Sequence, residues 1–119
     1  MGRPRRGEVW LADLEPARGQ EMNKVRPVVV LSSDEISTLD VMLVAPITGM
    51  TPNKAGKAWL VQVRPTKTNG LEKASCADAM QVRGVSTGRL SRKLGRLSRE
   101  DLQEVAAAVA LVIEYEEGG

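Results

Sequence analysis

Arg26 is the residue of this 119-residue chain best placed to do chemistry. It closes the polar stretch Gly19-Gln20-Glu21-Met22-Asn23-Lys24 and, with Pro27, leads directly into the apolar run Val28-Val29-Val30-Leu31. Such a run reads as a buried strand, so the guanidinium stands at the junction of a loop and a rigid element. A planar fork of donors fixed in this way suits an anion with two available oxygens, such as a phosphodiester. The alternative use of Arg26 is a strand-end ion pair with Glu21.

The rest of the inventory narrows the chemistry. The chain has no histidine and one cysteine, Cys76, so Ser-His and Cys-His nucleophilic arrangements are impossible, and the acids show no metal-ligand spacing. Neither a GxxxxGK[ST] loop nor a GxGxxG fingerprint is present, so no nucleotide cofactor is expected, and no metal. Catalysis must then use Arg, Lys, Glu, Asp, Ser, Thr or backbone groups. Cleavage of RNA through its own 2′-hydroxyl fits that inventory, because the substrate brings the nucleophile. The protein need only accept a proton, stabilise a pentavalent phosphorane and help the 5′-oxygen depart.

The positioning elements follow from pattern. Glu8 to Leu14 reads as a first strand, Ala17 to Lys24 as a loop, Val25 to Ser32 as a second strand and Val41 to Ile47 as a third. Pro46 suggests an edge or bulge near the third strand's end. Pro52 to Lys57 is a basic, turn-rich loop, after which Trp59, Val61 and Val63 share one face of a fourth strand. Asn69-Gly70 marks a turn, and short strands are expected at Ser75 to Asp78, Met80 to Gly84 and Leu90 to Leu94. Ser98 then caps a helix whose apolar face carries Leu102, Val105, Ala106, Val109, Val112 and Ile113. The acidic end Glu114-Tyr115-Glu116-Glu117 opposes the helix dipole and predicts a frayed last turn.

These elements form one domain, residues 1–119, mainly β, in a small and strongly bent barrel or sandwich with a terminal helix. Phe is absent, so Val, Leu and Ala must fill the core, and Cys76 reads as a small buried hydrophobe. The net charge of +2 hides an asymmetry, because residues 1–98 carry sixteen Lys and Arg against nine acids and residues 99–119 carry one against six. A basic body is the electrostatic footprint expected of a nucleic-acid binder. No signal segment or membrane span is read, and a cytoplasmic location is expected.

Taken in order, Arg6-Gly7-Glu8-Val9-Trp10, Gly19-Gln20-Glu21 with Arg26-Pro27-Val28-Val29-Val30-Leu31, Val44-Ala45-Pro46-Ile47-Thr48, and Gln81-Val82-Arg83 with the closing helix resemble the successive signatures of MazF/PemK-type toxins. The resemblance covers essentially the whole chain. It implies an SH3-like barrel with a C-terminal amphipathic helix, a homodimer, and a metal-independent, sequence-specific endoribonuclease that leaves 2′,3′-cyclic phosphate and 5′-hydroxyl ends. It also implies a cognate antitoxin whose acidic tail competes with single-stranded RNA for the basic groove.

By the same resemblance, Arg26 is the catalytic arginine, in a charge role because its pKa makes it a poor base, and Thr48 hydrogen-bonds a phosphate oxygen. Glu21 is a candidate for accepting the proton or orienting Arg26. Several relatives carry an acid immediately before the glutamine that matches Gln81, whereas this chain has Met80. Asp78, two residues earlier and on the same face if the segment is a strand, is a possible substitute acid, and the sequence leaves Glu21 and Asp78 both open. RNA contacts are expected from Gln20, Lys24, Lys54, Lys57 and Gln81, with hydrogen bonds and phosphate contacts outweighing stacking because aromatics are few. Two alternatives come from other classes: a CcdB-like gyrase poison on the same fold, and a non-catalytic RNA-binding barrel.

Overall fold

The computed structural model describes residues 2–14, 25–36 and 39–118. Among these residues seven strands and one α-helix follow one another as β1 (Glu8–Asp13), β2 (Val25–Val30), β3 (Val41–Gly49), β4 (Leu60–Val63), β5 (Ser75–Asp78), β6 (Arg83–Ser86), β7 (Leu90–Arg96) and α1 (Arg99–Val112). All pairings are antiparallel, in the order β4-β5-β3-β2-β1-β7, with β6 also paired to β3.

The apolar run after Arg26 is unbroken because β2 is covered on both faces. Val29 joins Val9, Ala45, Ile47 and Val63 in the cluster beneath the helix, while Val28 and Val30 join Trp10, Met42, Val44 and Val85 on the opposite side. All three valines are fully buried. Each such side chain contributes about 1.5–3 kcal/mol of burial free energy, which is how a core without Phe is filled by number rather than size.

Strand β3 is the spine. It pairs with β2 over Val44–Pro46, with β6 over Val41–Val44 and with β5 over Ile47–Gly49. Between Val44↔Arg83 and Ile47↔Ala77, three steps along β3 correspond to six along the facing chain. The extra residues form a 3-10 turn at Ala79–Gln81, capped by the Asp78 carboxylate, which accepts the Met80 N–H at 3.0 Å. The strand expected from Met80 to Gly84 is therefore this turn followed by β6, and Met80 is exposed on the turn rather than alternating with Asp78. Pro46 sits in the gap between the β5 and β6 pairings, mid-strand, where its missing N–H removes no ladder bond on that edge. Trp59 precedes β4 and is 39% exposed, so only Val61 and Val63 of its expected trio face the core.

The two ends of the strand path are joined by chain rather than by a ladder. Asn69-Gly70 does not form a tight hairpin, because β4 ends at Val63 and β5 begins at Ser75. The intervening loop folds around a buried Asn69, whose Oδ1 accepts the N–H groups of Thr66 and Leu71 and whose Nδ2 donates to Arg64 O. The loop then lies on β7, where Arg96 N donates to Thr68 O at 2.8 Å. Contact between the two backbones is close enough that a Cβ on Gly95 would lie 2.2 Å from Thr68 O, and one on Gly70 2.3 Å from Leu94 O. This closes a small barrel.

The helix forms behind its Ser98 cap as expected, but its inner face takes Ala108, which the pattern left out, and leaves Ile113 63% exposed just past its end. Ser98 Oγ accepts the Asp101 N–H at 3.0 Å, and Val105 and Ala108 are buried against the core with Leu102, Val109 and Val112 alongside. It stops at Val112 with Ile113 as its C-cap, before the acidic end.

Glu8 is the buried charge among the described residues, 5% exposed. Its carboxylate accepts the Arg5 N–H and the Trp10 Nε1–H, both at 2.9 Å, and faces Lys93 Nζ at 3.1 Å. Burial pushes its pKa up, but these three partners outweigh burial and hold it below the ordinary value of 4.5. A carboxylate with a lowered folded-state pKa stabilises the protein fully above its unfolded value, and that stability is lost as pH falls through the folded value. Urea unfolding should therefore show a midpoint that drops on acidification below about pH 5, with a shallower drop in Glu8→Gln, which starts from a lower midpoint at pH 7. Parallel acid profiles in the two proteins would remove Glu8 from this role.

Candidate functional site

Arg26 lies at the start of β2, half-buried, with Ala12 of β1 as its ladder partner. The β2–β3 ladder runs from Val30↔Val44 to Val28↔Pro46, and Arg26 and Thr48 each lie two residues beyond its end on their own strands. Both line one groove of about 490 Å³. Its apolar floor is formed by residues such as Leu11, Ile47, Leu71 and Leu94, and Arg26, Lys73 and Arg92 bring three cations to it.

Thr48 is held from several sides. On β3 it pairs with Cys76 of β5, whose fully buried Sγ lies 3.7 Å from Thr48 Oγ1. Lys54 reaches back from the turn at Pro52–Lys54, and its Nζ donates to Thr48 Oγ1 at 3.2 Å and to Gly49 O at 2.8 Å. Because Lys54 occupies a lone pair of the hydroxyl oxygen, the Thr48 proton is left to donate elsewhere. Lys73 approaches the same segment, so that a Cβ on Gly49 would lie 3.2 Å from its Nζ. Two ammonium groups thus flank Thr48-Gly49, opposite a guanidinium that has no carboxylate within ion-pair distance among the described residues. Together they form an anion site with one neutral hydroxyl donor.

The other sequence candidates are distributed unevenly. Gln20, Glu21 and Lys24 lie outside the described residues, so the Arg26–Glu21 pair is not visible. Lys57 is exposed, with its ammonium 6.0 Å from the centre of the Trp59 ring. Gln81 is exposed on the 3-10 turn, and Asp78 is engaged in capping that turn; neither is among the residues lining the groove. The same-face argument for Asp78 required a strand through Met80, and the turn removes it.

Sequence reasoning missed three charged groups. Glu72 and Lys73 follow the Asn69-Gly70 turn and reach the groove because the loop folds onto β7, and Arg92 reaches it because β7 pairs with β1, Leu11 facing Arg92. Glu72 is the one carboxylate among the described residues of the groove lining. The charges beside Asn69-Gly70 were the available signal. For Arg92, only the long-range pairing supplies one.

Known proteins resemble the chain over most of its length. Residues 5–113 match the family described as PemK-like, MazF-like toxins of type II toxin-antitoxin systems. The chain is 39% identical to Endoribonuclease MazF9 of Mycobacterium tuberculosis over 114 residues, covering 92% of this chain and 96% of that protein. It is 38% identical to Endoribonuclease MazF of Staphylococcus saprophyticus, over 88% of this chain and 87% of the relative. Among solved structures, MazF from Deinococcus radiodurans superposes with a TM-score of 0.76 at 21% identity, covering 96% of this chain and 99% of the other. A mycobacterial endoribonuclease in complex with its cognate antitoxin gives 0.75 at 16% identity, covering 97% and 99%.

Proposed function

The chain belongs to the PemK-like, MazF-like toxin family of type II toxin-antitoxin systems, and on that premise we propose that it is an endoribonuclease that cuts single-stranded RNA at the Arg26–Thr48 groove. The observation that carries the reading is the convergence of Arg26, Thr48 and Lys73 on one groove, with Lys54 bonded to the Thr48 hydroxyl, a cationic site fitted to bind a phosphodiester. It suits a reaction in which the RNA 2′-oxygen attacks the adjacent phosphorus, the 5′-oxygen leaves, and a 2′,3′-cyclic phosphate and a 5′-hydroxyl result.

In this reading the Arg26 guanidinium binds two equatorial oxygens of the phosphorane, and Thr48 donates its hydroxyl proton to a phosphoryl oxygen while Lys54 holds that hydroxyl in place. Glu21 remains the proposed proton acceptor or Arg26-orienting group, while Glu72 is a second carboxylate at the groove. Gln20, Lys24, Lys57 and Gln81 are proposed to contact RNA around this centre. A homodimer and a cognate antitoxin that blocks the groove with an acidic tail complete the proposal, supported by relatives solved with their antitoxins. A cytoplasmic site of action is part of the same reading, and no helix among the described residues is long and apolar enough to cross a membrane.

The test is digestion of a defined transcript with excess EDTA, followed by analysis of the ends. We expect cuts at a short recurring sequence, with 5′-hydroxyl ends that a kinase can phosphorylate directly. A strict metal requirement, or 5′-phosphate ends, would sink the mechanism. Intact RNA with stalled gyrase supercoiling would put the poison in its place.

A further inference from the structure

A second cavity, of about 290 Å³, shares Arg92 with the groove. Strand β7 ends the strand path, and the Leu11↔Arg92 and Trp10↔Lys93 pairs place successive residues of the β1–β7 ladder toward the two concavities in turn. The second cavity is lined by Arg3, Arg5, Glu8, Trp10, Arg92 and Lys93, with Gly2 and Ser91. Four cations meet one carboxylate there, and that carboxylate is already matched by Lys93 at 3.1 Å. Arg5 has only a loose, exposed contact with Asp34 at 3.8 Å, and Arg3 donates to a backbone oxygen, Leu39 O. Among the described residues, three guanidinium groups therefore keep donors free for a ligand, above a wall of aliphatic arginine stems and the Trp10 ring.

We propose that this cavity is a flanking subsite for the RNA backbone, which binds phosphodiesters of the strand leaving the catalytic groove over the β7 edge. The inference rests on the endoribonuclease reading and adds to it a second, sequence-independent contact. Charge and continuity favour RNA as the occupant. Arg92 belongs to both cavities, so a strand that turns over the β7 edge passes from one cationic lining to the other through a shared side chain, and guanidinium forks match phosphate oxygens without reading bases. The subsite makes affinity depend on RNA length beyond the cut site, while the chemistry stays at Arg26.

The test compares wild type with Arg3→Ala/Arg5→Ala, whose exposed side chains leave the Arg5 N–H bond to Glu8 untouched. Random-sequence RNA pools of six and twenty-four nucleotides, 2′-O-methylated so that no nucleophile is available, are titrated by fluorescence anisotropy over a range of salt. We expect wild type to prefer the long pool, and the variant to lose about tenfold on the long pool and little on the short one. The salt slope on the long pool should fall by about 1.4, the value for two lost single-strand phosphate contacts. An unchanged length preference overturns the subsite, as does equal loss on both pools. So does a variant that keeps long-RNA affinity and loses only binding to a poly-glutamate peptide, which would assign the cavity to an acidic polypeptide. Wild-type cleavage of an unmodified transcript, run alongside, separates these failures from failure of the nuclease reading itself.

Discussion

Arg26→Ala is expected to cut RNA about 10²- to 10³-fold more slowly than wild type, with the loss in kcat and with the fold retained. The magnitude follows from what the guanidinium is asked to do. In the ground state the phosphodiester carries one negative charge, whereas the phosphorane gathers more on the equatorial oxygens, so a fixed bidentate donor gains strength as the barrier is climbed. Removing a preorganised donor of that kind costs about 3–4 kcal/mol of transition-state stabilisation. Lys54 and Lys73 remain beside Thr48 and continue to attract RNA, which is why the deficit belongs to turnover more than to KM.

The fold should tolerate the change. Arg26 contributes backbone to the β1 ladder opposite Ala12, no described residue forms an ion pair with its side chain, and the buried run begins two residues later at Val28. Circular dichroism and thermal unfolding would therefore match wild type within a few degrees. Arg26→Lys separates charge from geometry, because a lysine restores the charge without the planar fork, and only partial recovery is expected. A folded Arg26→Ala protein with activity within about fivefold of wild type would move the centre away from this groove.

What the sequence disclosed and what it hid divide along the distance between interacting residues. The run Val28-Val29-Val30, the alternation in β1 and the Ser98 cap with its helical stripe are local patterns, and the structure has a strand or helix at each. Local chemistry also placed Cys76 in the core. The turn at Ala79–Gln81 could have been read from Asp78, a good capping residue, but β-like neighbours on both sides masked it. Lys73 and Arg92 could not have been assigned to the Arg26 groove from spacing. The first depends on how the 64–74 segment folds over its buried asparagine, and the second on a pairing some eighty residues apart in sequence. Arg26 thus sits on a strand that pattern defined, Thr48 lies one residue past the expected end of the third strand at a position that only the family resemblance singled out, and the charge brought by tertiary closure was illegible.

That closure is open to direct test, and Gly95→Ala is expected to be among the most destabilising single substitutions in the protein. A methyl group at Gly95 would sit 2.2 Å from Thr68 O, 2.7 Å from Asn69 C and 2.9 Å from Asn69 Cα. All three are backbone atoms, so no rotamer change can make room. Either β7 moves off the loop or the loop lifts off β7. Each route breaks the Arg96 N–H to Thr68 O bond and strains the bonds that hold buried Asn69. The combined cost of overlap and a disturbed buried polar network is about 3–5 kcal/mol, a large share of the 5–15 kcal/mol on which such domains depend. Thermal unfolding should fall by about 10–25 °C. The groove should suffer with the fold, because Gly70, Leu71, Glu72 and Lys73 on the lifted segment form one of its walls. Alanine at Gly88, where a Cβ would meet nothing nearer than Ser86 Oγ at 3.7 Å, is the matched control and should cost under about 1 kcal/mol. Equal melting temperatures for the two variants would mean that the loop does not close the barrel, and Lys73 would lose its structural claim to the site.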